Sequence, residues 1–291
     1  MKQVRVAAVQ AEPKWLNKAA GIEQVTEFVY AAADADCQLV AFPETFLPGF
    51  PWWMWLRSVE WGDEFQARYL ANSLSAEGPE LRAVSYAARR RGIAVSLGFA
   101  ERVGRQVFMS QALVESTGTI TIARKASPVG LEQSVFAKCT STPLIKATEH
   151  GRIGVLGGSD HADAERVAHL RAAREQIHVA AWSGFTVAQG DEPDPTRDVA
   201  CATSVRYALD HATFVIAPVA VVPVSGWEVA DSSGPDRRLL HGGGGVSRVF
   251  GPSGQELATP LPEGEEGLVV ADLTLLSSIA GTRRGAALTP A

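Results

Sequence analysis

Short apolar runs alternate with stretches of helical spacing, and this alternation most tightly constrains how the chain can fold. Val4-Arg5-Val6-Ala7-Ala8-Val9-Gln10 alternates and then runs apolar, as a buried first strand should, with Pro13 ending it. Ile22, Val25, Phe28, Val29 and Ala32 recur at helical spacing, predicting a helix to about Ala35. Leu39 to Phe42 reads as a second buried strand. Pro43 has no N–H to give a sheet ladder, so the strand should stop there and leave Glu44 at its end. Glu80 to Arg91 predicts a helix whose basic end complements the helix dipole, capped by Gly92. Ile93 to Phe99 is a strand; Phe108 to Val114 and Thr119 to Ala123 flank Ser116-Thr117-Gly118, a hairpin signal.

The second hairpin strand runs into Arg124-Lys125. Further strands are expected at Pro143–Ile145, Gly151–Leu156, His178–Trp182, Phe214–Val219, Ser247–Phe250 and Leu268–Leu273. Helices are expected at Ala162–Arg174, with Val167 and Leu170 facing inward, and at Ala200–Leu209. No linker, repeat or low-complexity block interrupts the pattern. It predicts a mixed α/β sandwich in one domain over residues 1–280, with a short tail at 281–291.

Composition narrows the function. The 291 residues are 46% hydrophobic and 20% charged, a globular profile with a large core. A net charge of −5 without a basic run argues against a nucleic-acid partner. No apolar run is long enough to span a bilayer, and the first residues run straight into a strand, so no membrane partner and a cytoplasmic location are expected. Cys37, Cys139 and Cys201 show no paired spacing, which disfavours a disulfide framework or zinc site. The histidines show no metal-ligand spacing with a carboxylate partner, so neither a metal nor another cofactor is expected. The glycine run Gly242–Gly245 has neither the lysine of a phosphate loop nor dinucleotide spacing, and is read as permitting close backbone approach.

The chemistry points to Glu44. It enters an aromatic, Pro/Gly-punctuated loop, Thr45 to Trp53, and a carboxyl in apolar surroundings has a raised pKa suited to carrying protons near neutrality. The segment Trp52 to Leu74, with Trp52, Trp53, Trp55 and Trp61, is expected at a pocket rim or subunit contact. Lys125, where ordered strand gives way to loop, is placed to offer a fixed positive charge to an oxyanion.

The chain as a whole resembles the nitrilase, or carbon–nitrogen hydrolase, superfamily, in its nitrilase and cyanide-hydratase branch. The resemblance rests on Val9-Gln10, Phe42-Pro43-Glu44 with Pro48-Gly49-Phe50-Pro51, Arg124-Lys125, Glu132, Gly151 to Leu156 and Asp160-His161. It continues through Glu175 to Trp182, Tyr207-Ala208-Leu209, Ala217-Pro218 and the glycine run. It implies a four-layer αββα sandwich, usually dimerised, and a Glu–Lys–Cys triad supported by a second glutamate. Glu44 matches the family's base, Lys125 its lysine and Glu132 its supporting glutamate. The helices Ala162–Arg174 and Ala200–Leu209 match its usual dimer surface, so a homodimer or higher homo-oligomer is expected.

The nucleophile is missing. Where the family reads Gly-Ala-Leu-x-Cys-Trp-Glu-His, this chain reads Gly154-Val155-Leu156-Gly157-Gly158-Ser159-Asp160-His161. Glycine stands at the cysteine position, and a thioimidate or acyl-enzyme route is closed there. The expected function is therefore acid–base chemistry without a covalent intermediate: addition, elimination, isomerisation or cyclisation of a nitrogen-containing small molecule by Glu44, Lys125 and Glu132. Gly158, Ser159, Asp160, Trp53 and Trp182 are the expected substrate-binding residues. Two other readings stay open: a hydrolase with its nucleophile moved to Ser159 or Cys139, and a catalytically silent binding or scaffold homologue.

Overall fold

The computed structural model describes residues 1–55, 59–184, 196–222 and 243–276. The tail at 281–291, Gly242 and His241 lie outside them, as do the side chains of Trp55 and Trp61.

Strand β1 (Lys2–Gln10) leads into helix α1 (Lys18–Asp34), β2 (Leu39–Ala41), α2 (Val59–Asn72) and α3 (Pro79–Arg91). Next come β3 (Ala94–Val103), β4 (Gln106–Val114) and β5 (Ile120–Arg124), then β6 (Leu144–Thr148), β7 (Gly151–Gly157), α4 (Ala164–Ala172) and β8 (Ile177–Ala181). The remainder is α5 (Thr196–His211), β9 (Phe214–Ala217), β10 (Val221–Val222), β11 (Gly243–Gly244), β12 (Arg248–Phe250) and β13 (Gly267–Leu275). One sheet has the order β13-β1-β2-β3-β4-β5, the other β12-β9-β8-β7-β6, and β10 and β11 make a separate ribbon.

The side-chain alternation of β1 shows why these sheets stack as they do. Val4, Val6 and Ala8 point into a core shared with Ile153 and Val155 of β7 and Ile177 and Val179 of β8. Ala7 and Val9 point the other way, into a core with Val25 and Val29 of α1 and Leu81 and Val84 of α3. A strand buried on both faces must read as a nearly continuous apolar run. The second sheet repeats the device: Leu156 and Ala180 face outward to Leu170 of α4 and Tyr207 of α5. Helix, sheet, sheet and helix give the four-layer αββα sandwich.

Local signals act as expected at several ends. The Asn17 side chain caps α1 by accepting from the Ala20 N–H at 3.1 Å. Helix α3 starts on Pro79 and ends on Gly92 in the left-handed region, φ 66°. The hairpin turns at Gly118, φ 89°, whose N–H donates to the Glu115 carbonyl at 2.7 Å. The helix expected from Ala162 begins later, at Ala164, because the Asp163 side chain caps it by accepting from the Glu165 and Arg166 N–H groups. Residues Gly158–Ala162 before it form a 3-10 turn.

Trp52 and Trp53 are core residues, stacked or edge-on with Trp15, Phe65 and Tyr69. Gly245, φ 71°, does permit close approach: a Cβ there would lie 2.7 Å from Gln10 Cγ.

Gly98 of β3 lies under the loop that carries Glu44. A Cβ at Gly98 would sit 2.1 Å from the Pro43 carbonyl oxygen and 2.8 Å from Glu44 Cα, both backbone atoms. Gly98→Ala should therefore displace the loop and cost about 1–3 kcal/mol, read as a lowered denaturation midpoint. An unchanged midpoint would show that the loop is not seated on β3.

Candidate functional site

Three strands bring the site together at their C-terminal ends. Glu44 follows β2, Lys125 follows β5 and Gly158 follows β7. The Glu44 N–H donates to the Trp182 carbonyl at 3.2 Å, tying the loop of the first sheet to the second. The Lys125 N–H donates to the Met109 carbonyl at 2.7 Å, extending the hairpin by one residue. Glu132 stands on a 3-10 turn, Gly130–Ser134, where its Oε2 accepts from the Val129 N–H at 2.8 Å.

Lys125 Nζ lies 3.3 Å from Glu44 Oε1 and 3.1 Å from Glu132 Oε2. All three residues are buried, at 3%, 5% and 8% exposure for Glu44, Lys125 and Glu132. One ammonium between two carboxylates leaves an excess negative charge in a place poorly able to solvate it. The pKa shifts follow. Burial pushes the Glu44 carboxyl up to about 7; Lys125 opposes the shift and Glu132 adds to it. Burial acts to lower the Lys125 pKa, but Glu44 and Glu132 outweigh it and the ammonium is held above its usual value. Near neutrality Lys125 is charged, while Glu44 exchanges its proton readily.

Gly157 and Gly158 make room for this carboxyl. A Cβ on Gly157 would sit 2.3 Å from Glu44 Oε1, and one on Gly158 2.9 Å from Oε2 and 3.4 Å from Lys125 Nζ. Gly158 has φ +36°, a conformation that side-chain-bearing residues rarely adopt. A narrow cleft adjoins Gly157; Glu44, Lys125, Gln111 and Asp160 line its polar side, Met109 and Leu144 its apolar side.

The other expected residues fall in different places. Asp160 is buried and paired with Arg166, Nε to Oδ2 2.9 Å; burial raises its pKa while Arg166 opposes. The Ser159 hydroxyl is buried and makes no hydrogen bond among the described residues, so no described base is within its reach. Cys139 Sγ donates to the Lys125 carbonyl at 3.5 Å, and burial raises its pKa, which favours thiol over thiolate. Trp53 is part of the aromatic core. The Trp182 indole N–H donates to Ser204 Oγ at 3.0 Å and its ring stacks on His161. Neither tryptophan is among the residues lining the cleft.

Two cleft residues escaped the sequence reading. Gln111 is 7% exposed, and its Oε1 is buried without a partner among the described residues. Its signal was available: Ser110-Gln111 is a polar pair inside the otherwise apolar run of β4. Arg166 left no such signal, since its pairing with Asp160 spans a turn and a helix start. Among the described residues no group of His, Cys, Asp or Glu could hold a metal ion, and no helix is long and apolar enough to cross a membrane.

Comparison with known proteins decides the family. The carbon–nitrogen hydrolase family pattern matches residues 5–284. The chain belongs to the carbon–nitrogen hydrolase family. This family member is 35% identical to an aliphatic nitrilase of Rhodococcus rhodochrous over 274 residues, covering 93% of this chain and 75% of the relative. It is 36% identical to an arylacetone-specific nitrilase of Alcaligenes faecalis, covering 94% and 78%. Among solved structures, an amidase from Nesterenkonia sp. superposes with a TM-score of 0.67 at 20% identity, over 93% of this chain and 90% of the amidase. A mutant of the AN1 amidase carries the acetamide moiety of fluoroacetamide on its active-site cysteine, at TM-score 0.66 and 19% identity, over 93% of this chain and 90% of the amidase.

The raised Glu44 pKa makes a stability prediction. The folded carboxyl binds its proton more tightly than the unfolded one, so stability falls as pH rises from about 4.5 to about 7 and stays lowered above that. The cost is on the order of 3 kcal/mol. Denaturant unfolding of Glu44→Gln should therefore lose less stability than the parent protein between pH 5 and pH 8; parallel curves would contradict the shift.

Proposed function

We propose that this carbon–nitrogen hydrolase homologue performs acid–base chemistry without a covalent enzyme intermediate. The supporting observation is the Glu44 carboxyl, its pKa near 7, resting against a glycine where a nucleophile's side chain would otherwise stand. The relatives named above are nitrilases and an amidase, and the amidase is modified at a cysteine. Gly158 has no atom able to attack a substrate carbon. With no side chain there, Glu44 faces the cleft directly.

In this reading Glu44 removes a proton from nitrogen or carbon of a small nitrogen-containing substrate and returns one later in the cycle. Lys125 donates a hydrogen bond to the negative charge that develops when the proton leaves. Glu132 holds Lys125 charged and fixed. Addition, elimination, isomerisation and cyclisation all fit this set. A lysine beside two carboxylates stays protonated, which disfavours a Schiff base.

A second reading, a silent scaffold, is favoured by one observation: Lys125 contacts both carboxylates and so offsets their burial without any catalysis. Pairing of two copies across α4 and α5 belongs to the same proposal, supported by half-exposed Val199 and Leu209 on α5. Sedimentation should give twice the chain mass, and Leu209→Glu should reduce it to a monomer; a monomeric parent protein would remove this part.

The chemistry is tested on a panel of small amines, imines, amides and nitriles, with products and intact protein followed by mass spectrometry. The proposal predicts a rearranged, cyclised, added or eliminated product and no mass gained by the protein. It also predicts at least about 100-fold slower turnover in Glu44→Gln and in Lys125→Ala. Undiminished turnover in both variants would remove it. An adduct on Ser159 or Cys139 would replace it with the hydrolase reading, and a parent protein inert to the whole panel would replace it with the scaffold.

A further inference from the structure

Behind the site, on the outer face of the second sheet, lies a buried chain of polar groups that the acid–base reading does not use. The His161 ring faces the Gly158 carbonyl through Nδ1 at 2.8 Å. Its Nε2 faces His178 Nε2 at 3.0 Å. His178 Nδ1 lies 3.1 Å from Glu175 Oε2, and the Tyr207 hydroxyl donates to Glu175 Oε1. The His178 and Glu175 side chains are 0% and 1% exposed. Ring packing holds the chain: Trp182 stacks on His161 with centroids 5.0 Å apart, and Tyr207 on His178 at 3.8 Å.

The hydrogens of this chain can be counted. A carbonyl oxygen only accepts, so His161 Nδ1 carries a hydrogen. The two facing Nε2 atoms need one hydrogen between them. The His178–Glu175 contact needs another. Tyr207 supplies its own. Three contacts at ring nitrogens thus require three hydrogens, and two neutral imidazoles bring only two. If Glu175 is a carboxylate, His178 is an imidazolium; if His178 is neutral, Glu175 is a carboxylic acid. Either way one extra proton is held between His178 and Glu175, and the pair is neutral overall, which suits its burial.

We propose that His161, His178 and Glu175 hold one proton beyond two neutral imidazoles, and that this closed chain makes His161 a permanent donor that fixes the Gly158 carbonyl. His161 is thus a positioning residue. Gly158 has no side chain to anchor its left-handed turn, and this hydrogen bond anchors it beside Glu44 and Lys125. Gly154 of β7 completes the arrangement: a Cβ there would sit 1.9 Å from Glu175 Oε2, so the glycine leaves the socket that the carboxyl occupies.

The surrounding charges agree with this assignment. Burial, with His178 next and Lys125 adding, pushes the His161 pKa down to about 3, so His161 stays neutral and the extra proton belongs to the other pair. From α5, Tyr207 has its pKa raised by burial and by Glu175 and stays a donor; His211 packs on Tyr207 at 4.3 Å, its own pKa lowered mainly by burial, with Arg171 also acting on it.

The test is long-range proton–nitrogen NMR on the full chain labelled with 15N-histidine. The Glu175 side-chain carboxyl 13C shift is read beside it. At neutral pH the expected result is three ring N–H groups for His161 and His178 with an ionised Glu175, or two with a protonated Glu175. Two ring N–H groups together with an ionised Glu175 would overturn the proposal. Glu175→Gln removes both the compensating charge and the acid, so only two ring N–H groups should remain; three would also overturn it. The count in the unmodified protein decides the matter even where that variant does not fold. The positioning role is read from the Gly158 carbonyl 13C shift: His161→Ala should move it, and His161→Asn, whose amide also donates, should restore it in part. An unmoved carbonyl in His161→Ala would remove that role. None of these readouts depends on turnover, so they succeed or fail separately from the acid–base reading.

Discussion

Lys125 buried between Glu44 and Glu132 is the interaction on which the rest of the site depends. Removing any of the three from water is costly alone, and the ammonium offsets only part of the cost of two carboxylates. The residual charge is relieved at Glu44, whose carboxyl is pushed up to about 7. Glu132 is tied in a second way, since its Oε2 also accepts from the Val129 N–H. In the proposed acid–base reading the two glutamates then take different tasks, Glu44 exchanging a proton and Glu132 holding the lysine.

The fold supplies the geometry for this pairing. Glu44 and Lys125 leave two strands of the same sheet and Glu132 the 3-10 turn that follows, while Gly157 and Gly158 at the end of β7 close on them from the second sheet because β1, β7 and β8 pack apolar faces against one another. Close approach is then a matter of missing side chains. Gly98 lets the Glu44 loop lie on β3, Gly157 and Gly158 leave space for its carboxyl, and Gly154 leaves space for Glu175 behind the site. An aliphatic nitrilase is 35% identical over 93% of this chain, so the scaffold is shared with a nitrilase.

Much of this was legible in the sequence, and the rest has identifiable reasons for being hidden. Strand β2 and its abrupt end were legible because Leu39 to Phe42 is uniformly apolar and Pro43 cannot continue a ladder. Helix α3 was legible from Arg89 to Arg91 and Gly92, and the hairpin from Gly118. Glu44 and Lys125 were found by their strand-end positions and by family register, and Glu132 by family register alone; the structure brings Lys125 within hydrogen-bonding distance of both glutamates. Burial of Trp53 was not legible, because four tryptophans in a short segment fit a pocket rim as well as a core. The pairing of His161 with His178 was not legible either: it joins a 3-10 turn to the outer face of a neighbouring strand, and no periodicity encodes such a contact. Ribbon β10–β11 is too short to leave a pattern.

The central claim is that Glu44 is the proton carrier of a site without a nucleophile, and its own titration tests this most directly. Carbon-13 NMR of the side-chain carboxyl, assigned by its loss in Glu44→Gln, should give a midpoint near pH 7, shifted from an ordinary value of about 4.5. A midpoint at that ordinary value would mean that burial beside Lys125 and Glu132 does not tune this carboxyl, and the account of the site would be wrong.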